Sequence, residues 1–456
     1  MQYAYQTPGP QGTLRVARPE LAWPIRPQDG AQIVGMELRL NDEPLSAHYE
    51  SGAVRAMPSA PLSPGTYRVR CRVTFSPKQD DATVSWSFTV APGALTTLPP
   101  PSAWARDALL AANRLRLRLG LAPLALDLRL CAAAQAHAAY LDKNQLVGHF
   151  ESASKPGFVG DTPLARAQTF GYASTLAEDV SFAEGTPERI VRALFDAPYH
   201  RLPFLRPGGL LFGAGNVQKA SGLLFGGDGT PGTVMSPYDG ETDVPLTWRN
   251  DEIPSPTRAL PNAPKVVGYP ILLAHFRPGK VPALQVQSAS LTAADGSEVR
   301  CLLNVPGRDS ELTYACMLVP LAPLKPAALY TVEVVTAEFT RRWRFTTRME
   351  SASTSDFSPL DLRPGDLKLI GTVEKADKKN GLLVLRVTRA QAYGTAEQAL
   401  PKPVTVTLKL SPQTRFLSQA NRSGTVNLTP GLALAALVAN GPLVRSVAAR
   451  TVILLH

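Results

Sequence analysis

Cysteine is scarce: the 456 residues hold four, at positions 71, 131, 301 and 316, and no two form a C-x-x-C pair. That excludes a disulfide scaffold and a zinc ribbon built on paired thiols. Charged residues are also few, at 18% against the ~25% of an average chain. With 44% hydrophobic residues, this excludes a disordered polyelectrolyte. The longest apolar run, Leu432 to Ala439, falls far short of the ~20 residues a spanning helix needs. No transmembrane segment is expected. Met1 to Tyr5 shows neither a basic nor an apolar leader region, so a signal peptide is expected to be absent or removed beforehand. No Gly-x-Ser-x-Gly elbow occurs, and Cys131 sits among alanines where a thiolate nucleophile is implausible.

What is abundant is proline, 42 residues against 34 glycines, without a period. Proline's fixed φ and missing N–H suit short strands joined by turns and argue against one large parallel sheet. The length exceeds a single core and gives roughly three domains at about 150 residues each. The net charge is +10, but the basic residues are scattered. Their densest cluster, Arg341-Arg342-Trp343-Arg344, alternates with Trp343 and Phe345 as a half-buried strand does. No nucleic-acid partner is expected. Cys301 and Cys316 lie in two strand-like stretches that can face each other, so a local disulfide and two free thiols both stay open.

Along the chain, residues 1–95 read as strands. Gln32 to Leu40 and Tyr67 to Phe75 alternate, and Thr83 to Val90 puts Val84, Trp86 and Phe88 on one face. The region resembles bacterial immunoglobulin-like spacer domains. Thr96 to Pro101 is a stiff linker. Residues 98–232 change character. Ser102 caps one predicted helix, ended by Gly120; Asp127 caps an alanine-rich second; and Thr186-Pro187-Glu188 opens a third that runs to about Asp196. The runs 211–215 and 223–226 read as buried strands. Residues 233–348 return to the β pattern as a second Ig-like sandwich. Met349 to Asp356 reads as a polar linker, and residues 358–456 as a small β-barrel, OB-like in strand number. The fold class is therefore multidomain and mainly β, with one α+β domain.

That α+β segment carries a series of short motifs in order. Asn113-Arg114 and Gly120-Leu121-Ala122-Pro123-Leu124 precede the alanine-rich helix; Gly148-His149-Phe150, Gly171-Tyr172 and Ala177-Glu178-Asp179-Val180 follow it. Ala197-Pro198-Tyr199-His200-Arg201 and Leu211-Phe212-Gly213-Ala214-Gly215 close the segment. The series resembles the CAP superfamily (cysteine-rich secretory, antigen 5 and pathogenesis-related proteins) in its compact bacterial form. The resemblance implies an α-β-α sandwich whose cleft is lined by two histidines and acidic side chains, and which in some members binds a divalent metal. By that resemblance His149 and His200 are the cleft histidines and Glu178 the cleft acid and candidate catalytic residue. Ala177 and Asp179 depart from the family's Gly and Asn, and the second cleft acid has no match, Asp196 being one residue off.

Two imidazoles and a carboxylate are a ligand set for Zn²⁺ with an open position for water, so His149 and His200 are the expected metal ligands, although no cofactor is required. The contrasting expectation is a polar network in which Glu178 orders both loops. His137, on an alanine face, is expected to be packed, Ser152 and Ser154 to be loop or cap residues, and His48, His275 and His456 to carry no pattern. The expected function is an exported, extracellular or cell-envelope bacterial protein. In it the CAP cleft binds a protein, polysaccharide or lipid ligand and is displayed by β spacers. The alternative is a metal-assisted hydrolase acting on peptide or envelope polymer through His149, His200 and Glu178.

Overall fold

The computed structural model describes residues 3–77, 81–277 and 283–349, and, further on, 366–377, 380–392, 398–410, 415–418, 433–439 and 446–454. The stretch read as a polar linker falls outside these residues from position 350, as does His456. The chain divides into two units, Met1–Glu350 and Ser351–His456. The first is built from two β sandwiches with a mixed domain between them.

Strand alternation shapes the first sandwich. Gly65–Ser76 buries every second residue over 69–75 and Ala82–Leu95 does so over 86–90, and the two pair antiparallel within a five-stranded sheet. A four-stranded sheet around Leu21–Pro27 faces it, and Trp23, Ile25, Trp86 and Phe88 fill the space between. In the last sandwich Trp343 and Phe345 are buried on the strand Thr340–Thr347 while the neighbouring arginines are exposed, as the period-2 pattern requires.

Between the sandwiches lie helices α1 (Ala103–Arg118), α2 (Leu128–Asn144), α3 (Pro163–Thr169), α4 (Pro187–Asp196) and α5 (Pro198–Leu205). Side chains at the expected caps start three of them. Ser102 accepts from the Ala105 N–H, Asp127 from those of Arg129 and Leu130, and Thr186 from that of Arg189. The helices cover a four-stranded sheet ordered Ala125–Leu126, Leu211–Val217, Ala220–Gly226, Leu176–Phe182. Gly213 and Gly215 set how close α2 lies. A Cβ on either would run into the helix backbone, at Leu130–Cys131 and Ala134–Gln135 respectively. An alanine-rich helix on a glycine-bearing strand gives a thin, tight layer.

The three domains are not beads on a string. One buried apolar cluster runs from Ala105 and Phe195 through Phe204 and Phe225 to Ile271, Trp343 and Phe345, joining the mixed domain to the last sandwich. On the other side Val16 packs with Leu130, Phe170 and Tyr172. There Arg129 bridges Glu20 of the first sandwich (2.7 Å) and Asp127 (2.6 Å).

All four cysteines are free thiols. The register explains why Cys301 and Cys316 do not join: Cys301 lies opposite Pro320, while Cys316 sits beyond the Asn304–Met317 end of the ladder. Burial raises the Cys71, Cys301 and Cys316 thiols to about 12, which keeps them protonated and inert.

In the second unit, Asp366–Asp377 pairs with Leu382–Ala392 and Ala433–Ala439, and Leu382–Ala392 pairs with Gln398–Lys409. Ala433–Ala439 pairs with Ser446–Leu454, which returns parallel to Gln398–Lys409 through Thr407↔Ser446. The pairing therefore runs back on itself through five strands, around Leu369, Leu383, Leu385, Leu408 and Leu434.

Candidate functional site

The edge strand Leu176–Phe182 carries two adjacent acids that face opposite ways. Glu178 lies opposite Leu224, which packs with α2 and α3; Asp179 lies opposite Leu223, which packs with α1, α4 and α5. Each side of the strand holds one histidine–glutamate pair.

On the first side, His149 Nδ1 lies 2.9 Å from Glu178 Oε2, and Arg166 of α3 donates to Glu178 Oε1 at 2.7 Å. The Glu178 side chain is 2% exposed and that of His149 38%. Burial pushes the Glu178 carboxyl up, but the His149 hydrogen bond and the Arg166 charge more than offset it and hold it below its usual range. Behind this pair lies a second one. His137 Nδ1 meets Glu151 at 2.9 Å, His137 Nε2 donates to the Gly148 carbonyl at 3.0 Å, and Glu151 Oε2 accepts from the Val159 N–H at 2.8 Å. His137 is packed, as expected, and its contacts anchor the loop that presents His149. Ser152 and Ser154 bond each other in that loop, and the Ser152 N–H donates to the Tyr140 hydroxyl.

On the second side, His200 lies in the first turn of α5, and its partner comes from the last sandwich. Glu252 Oε1 takes the His200 ring at 2.6 Å and the backbone N–H groups of Tyr199 and His200 at 3.0 Å each. The reason is local. Ala197, the N-cap of α5, offers no capping side chain, so the orphan N–H groups at this helix start are satisfied by a carboxylate from elsewhere. Burial lowers the His200 pKa, while Glu252 and the charge of Asp179 raise it, and the net shift is upward. Beside it the Tyr199 hydroxyl donates to Asp309 and accepts from Arg258, fastening the same turn to the same sandwich.

Asp179 completes the second side. Its residue is 2% exposed and its Oδ2 has no hydrogen-bond partner among the described residues. Burial raises this carboxyl well above the usual range; His200 opposes the shift, and Glu252 and Glu178 add to it. A carboxyl with a raised folded pKa takes up a proton on folding. Its cost is therefore absent below the unfolded value of ~3.9 and grows as the pH rises toward the folded value. Asp179→Asn should flatten this slope, gaining about 1 kcal/mol at pH 8 and nothing near pH 4, as is usual for relieving one buried unsatisfied group. Urea midpoints across that range measure it. Parallel curves for the two proteins would mean that Asp179 is solvated.

The residues expected from the sequence are thus all placed, but not as one ligand set. His149 and Glu178 touch; His200 is bound to Glu252 instead, and both Glu178 oxygens are already engaged. Among the described residues no group of three His, Cys, Asp or Glu side chains could hold a metal ion. The arrangement does not fit the three-ligand Zn²⁺ site. Glu178 is a buried carboxylate with one oxygen on His149 and the other on Arg166. Sequence reasoning missed Glu252, which lies 52 residues from His200 in another module; the lack of a capping side chain at Ala197 was its only trace.

The mixed domain is a four-stranded sheet covered by helices, and it carries His149, Glu178 and His200. Residues 109–221 match the family model CAP, the cysteine-rich secretory protein family, so this segment is a CAP domain. No curated protein matches the chain. Among solved structures, an extracellular protein containing an SCP domain from Bacillus anthracis is 14% identical, over 50% of this chain and 67% of its own, with a TM-score of 0.24. A cysteine-rich secretory protein from Staphylococcus aureus is 11% identical, over 49% and 87%, with a TM-score of 0.18. Fibronectin(III)-like modules from Clostridium thermocellum are 6% identical, over 77% and 99%, with a TM-score of 0.16. At these scores the structural likenesses support nothing about activity. Among the described residues no helix is long and apolar enough to cross a membrane.

Proposed function

We propose that the CAP domain is a partner-binding module of an exported, extracellular or envelope bacterial protein, held in place by the β sandwiches on either side. One observation carries this reading. The three most exposed large apolar side chains among the described residues are Ile253 (89%), Val147 (77%) and Phe150 (71%). Val147 and Phe150 flank His149 in sequence, and Ile253 follows Glu252, so all three adjoin the two histidine–glutamate pairs. Exposed apolar side chains beside fixed polar groups, here on either side of the edge strand, are the composition of recognition surfaces. The family's secretory name supports an extracellular setting.

The test compares the immobilised full chain with a Phe150→Ser/Ile253→Ser variant, each incubated with secreted proteins and solubilised envelope polymer. A ligand retained by the wild type and lost from the variant is expected, with melting temperatures alike because both side chains are exposed. Equal retention by the two would sink the reading. Hydrolysis is a second reading, favoured by the carboxylates on Nδ1 of His149 and His200, since such a partner orients an imidazole as a base. It requires turnover of peptide or envelope polymer that His200→Ala abolishes.

A further inference from the structure

On the first sandwich, the strands Gln32–Leu40, Gly65–Ser76 and Ala82–Leu95 turn outward a face that carries Arg39, Arg68, Arg70 and Arg72 together with the acids Glu37 and Asp81. Arg39 lies directly opposite Arg70, Arg70 opposite Ser85, Arg72 opposite Thr83 and Arg68 opposite Ser87. Like charges directly opposed across strands destabilise a sheet. Two of these arginines are neutralised locally, Arg39 by Glu37 and Arg72 by Asp81. Arg68 and Arg70 have no side-chain hydrogen bond or ion pair among the described residues. Around them lies a concavity of about 340 Å³ lined by Arg39, Asp42, Arg68, Arg70, Thr83 and Ser85.

We propose that this concavity binds an acidic saccharide, with its carboxylate or sulfate groups on Arg68 and Arg70 and its hydroxyls on Asp42, Thr83 and Ser85. A guanidinium presents a planar fork that matches such oxyanions. The Asp42 carboxylate selects among anions: it repels a bare one and accepts from a sugar hydroxyl. Among the described residues no aromatic side chain lines the concavity, so bases find no stacking platform there, which sets a single-stranded nucleic acid apart. The lining residues all belong to the first sandwich, and the proposal does not depend on the function proposed for the CAP domain.

Titration of the full chain with an oligogalacturonate at physiological salt (~0.15 M) tests this, beside a neutral glucan, an oligoglutamate and an oligonucleotide of equal charge. Saturable uronate binding is expected, with none for the glucan. Arg70→Ser and Arg68→Ser should each weaken it about tenfold, the scale of one charge-assisted hydrogen bond. Both side chains are exposed, so melting should not change. Asp42→Asn should weaken binding, and His149→Ala should leave it intact. Absence of uronate binding would overturn the proposal. So would tighter binding by Asp42→Asn, which marks a bare anion site. Equal binding of oligoglutamate or oligonucleotide would also overturn it, since that is undirected charge attraction.

Discussion

Residues 98–232, excised as a CAP domain by itself, should show no cooperative thermal transition, whereas residues 1–349 should melt as one unit. The cut falls through shared structure on both sides. Arg201 of α5 is fully buried; its guanidinium donates to the Pro270 carbonyl at 2.9 Å and lies 4.5 Å from the centre of the Tyr269 ring, both in the last sandwich. Tyr269 in turn donates to Asp196 at 2.7 Å. Removing that sandwich also takes Glu252 from His200 and from the start of α5, and bares the apolar cluster between Phe204 and Ile271. On the opposite side Arg129 loses Glu20, and Tyr172 loses the cover of Val16. Breaking one partner from a buried charge costs about 3–5 kcal/mol, and each stranded polar group about 1–3 kcal/mol. The sum equals or exceeds the ~5–15 kcal/mol that a domain has in all. Calorimetry of the two fragments decides it. A cooperative transition for 98–232 within a few degrees of the longer fragment would show that the flanking sandwiches only decorate an independent domain.

How much of this was legible beforehand follows from the range of each interaction. The caps at Ser102, Asp127 and Thr186 act within three residues, and the alternation of Tyr67 to Phe75 repeats every two, so both are written locally. Helices α3 and α5 are seven and eight residues long, and α5 contains Pro203; they exist because they are packed, and their local sequence carries little trace of that. The resemblance to the CAP family singled out His149, Glu178 and His200, but it could not show which groups meet. Arg166 reaches Glu178 from a helix that went unread, and Glu252 reaches His200 from a module read as a spacer. For the same reason the fusion of three domains into one body was invisible, since no spacing rule links Arg201 to Pro270. The Cys301–Cys316 question turned on strand register, which composition does not reveal.

Glu151→Ala should be the most damaging single substitution on the His149 side, costing about 3–5 kcal/mol, the usual penalty for removing one member of a buried ion pair. The Glu151 side chain is wholly buried, and four groups depend on it. His137, also wholly buried, bonds it through Nδ1. Arg166, 1% exposed, lies 3.7 Å from it, and the Val159 and Gly160 N–H groups both donate to Oε2. Alanine at this position strands His137 Nδ1 and the Val159 and Gly160 N–H groups, which lose their shared acceptor in a buried setting. Glu151→Gln keeps the volume and one acceptor oxygen but loses the charge, so its cost should fall between that of alanine and none. The loop from Gly148 to Gly160 is tied down at one end by His137 and at the other by Glu151. Its amides should therefore exchange faster in the alanine variant, and His149 should lose its fixed approach to Glu178. Urea unfolding gives the energy, and hydrogen exchange over residues 147–160 gives the location. A cost below about 1 kcal/mol, in the range of exposed pairs, would show that solvent reaches the network and that His149 is held by Glu178 and Arg166 alone.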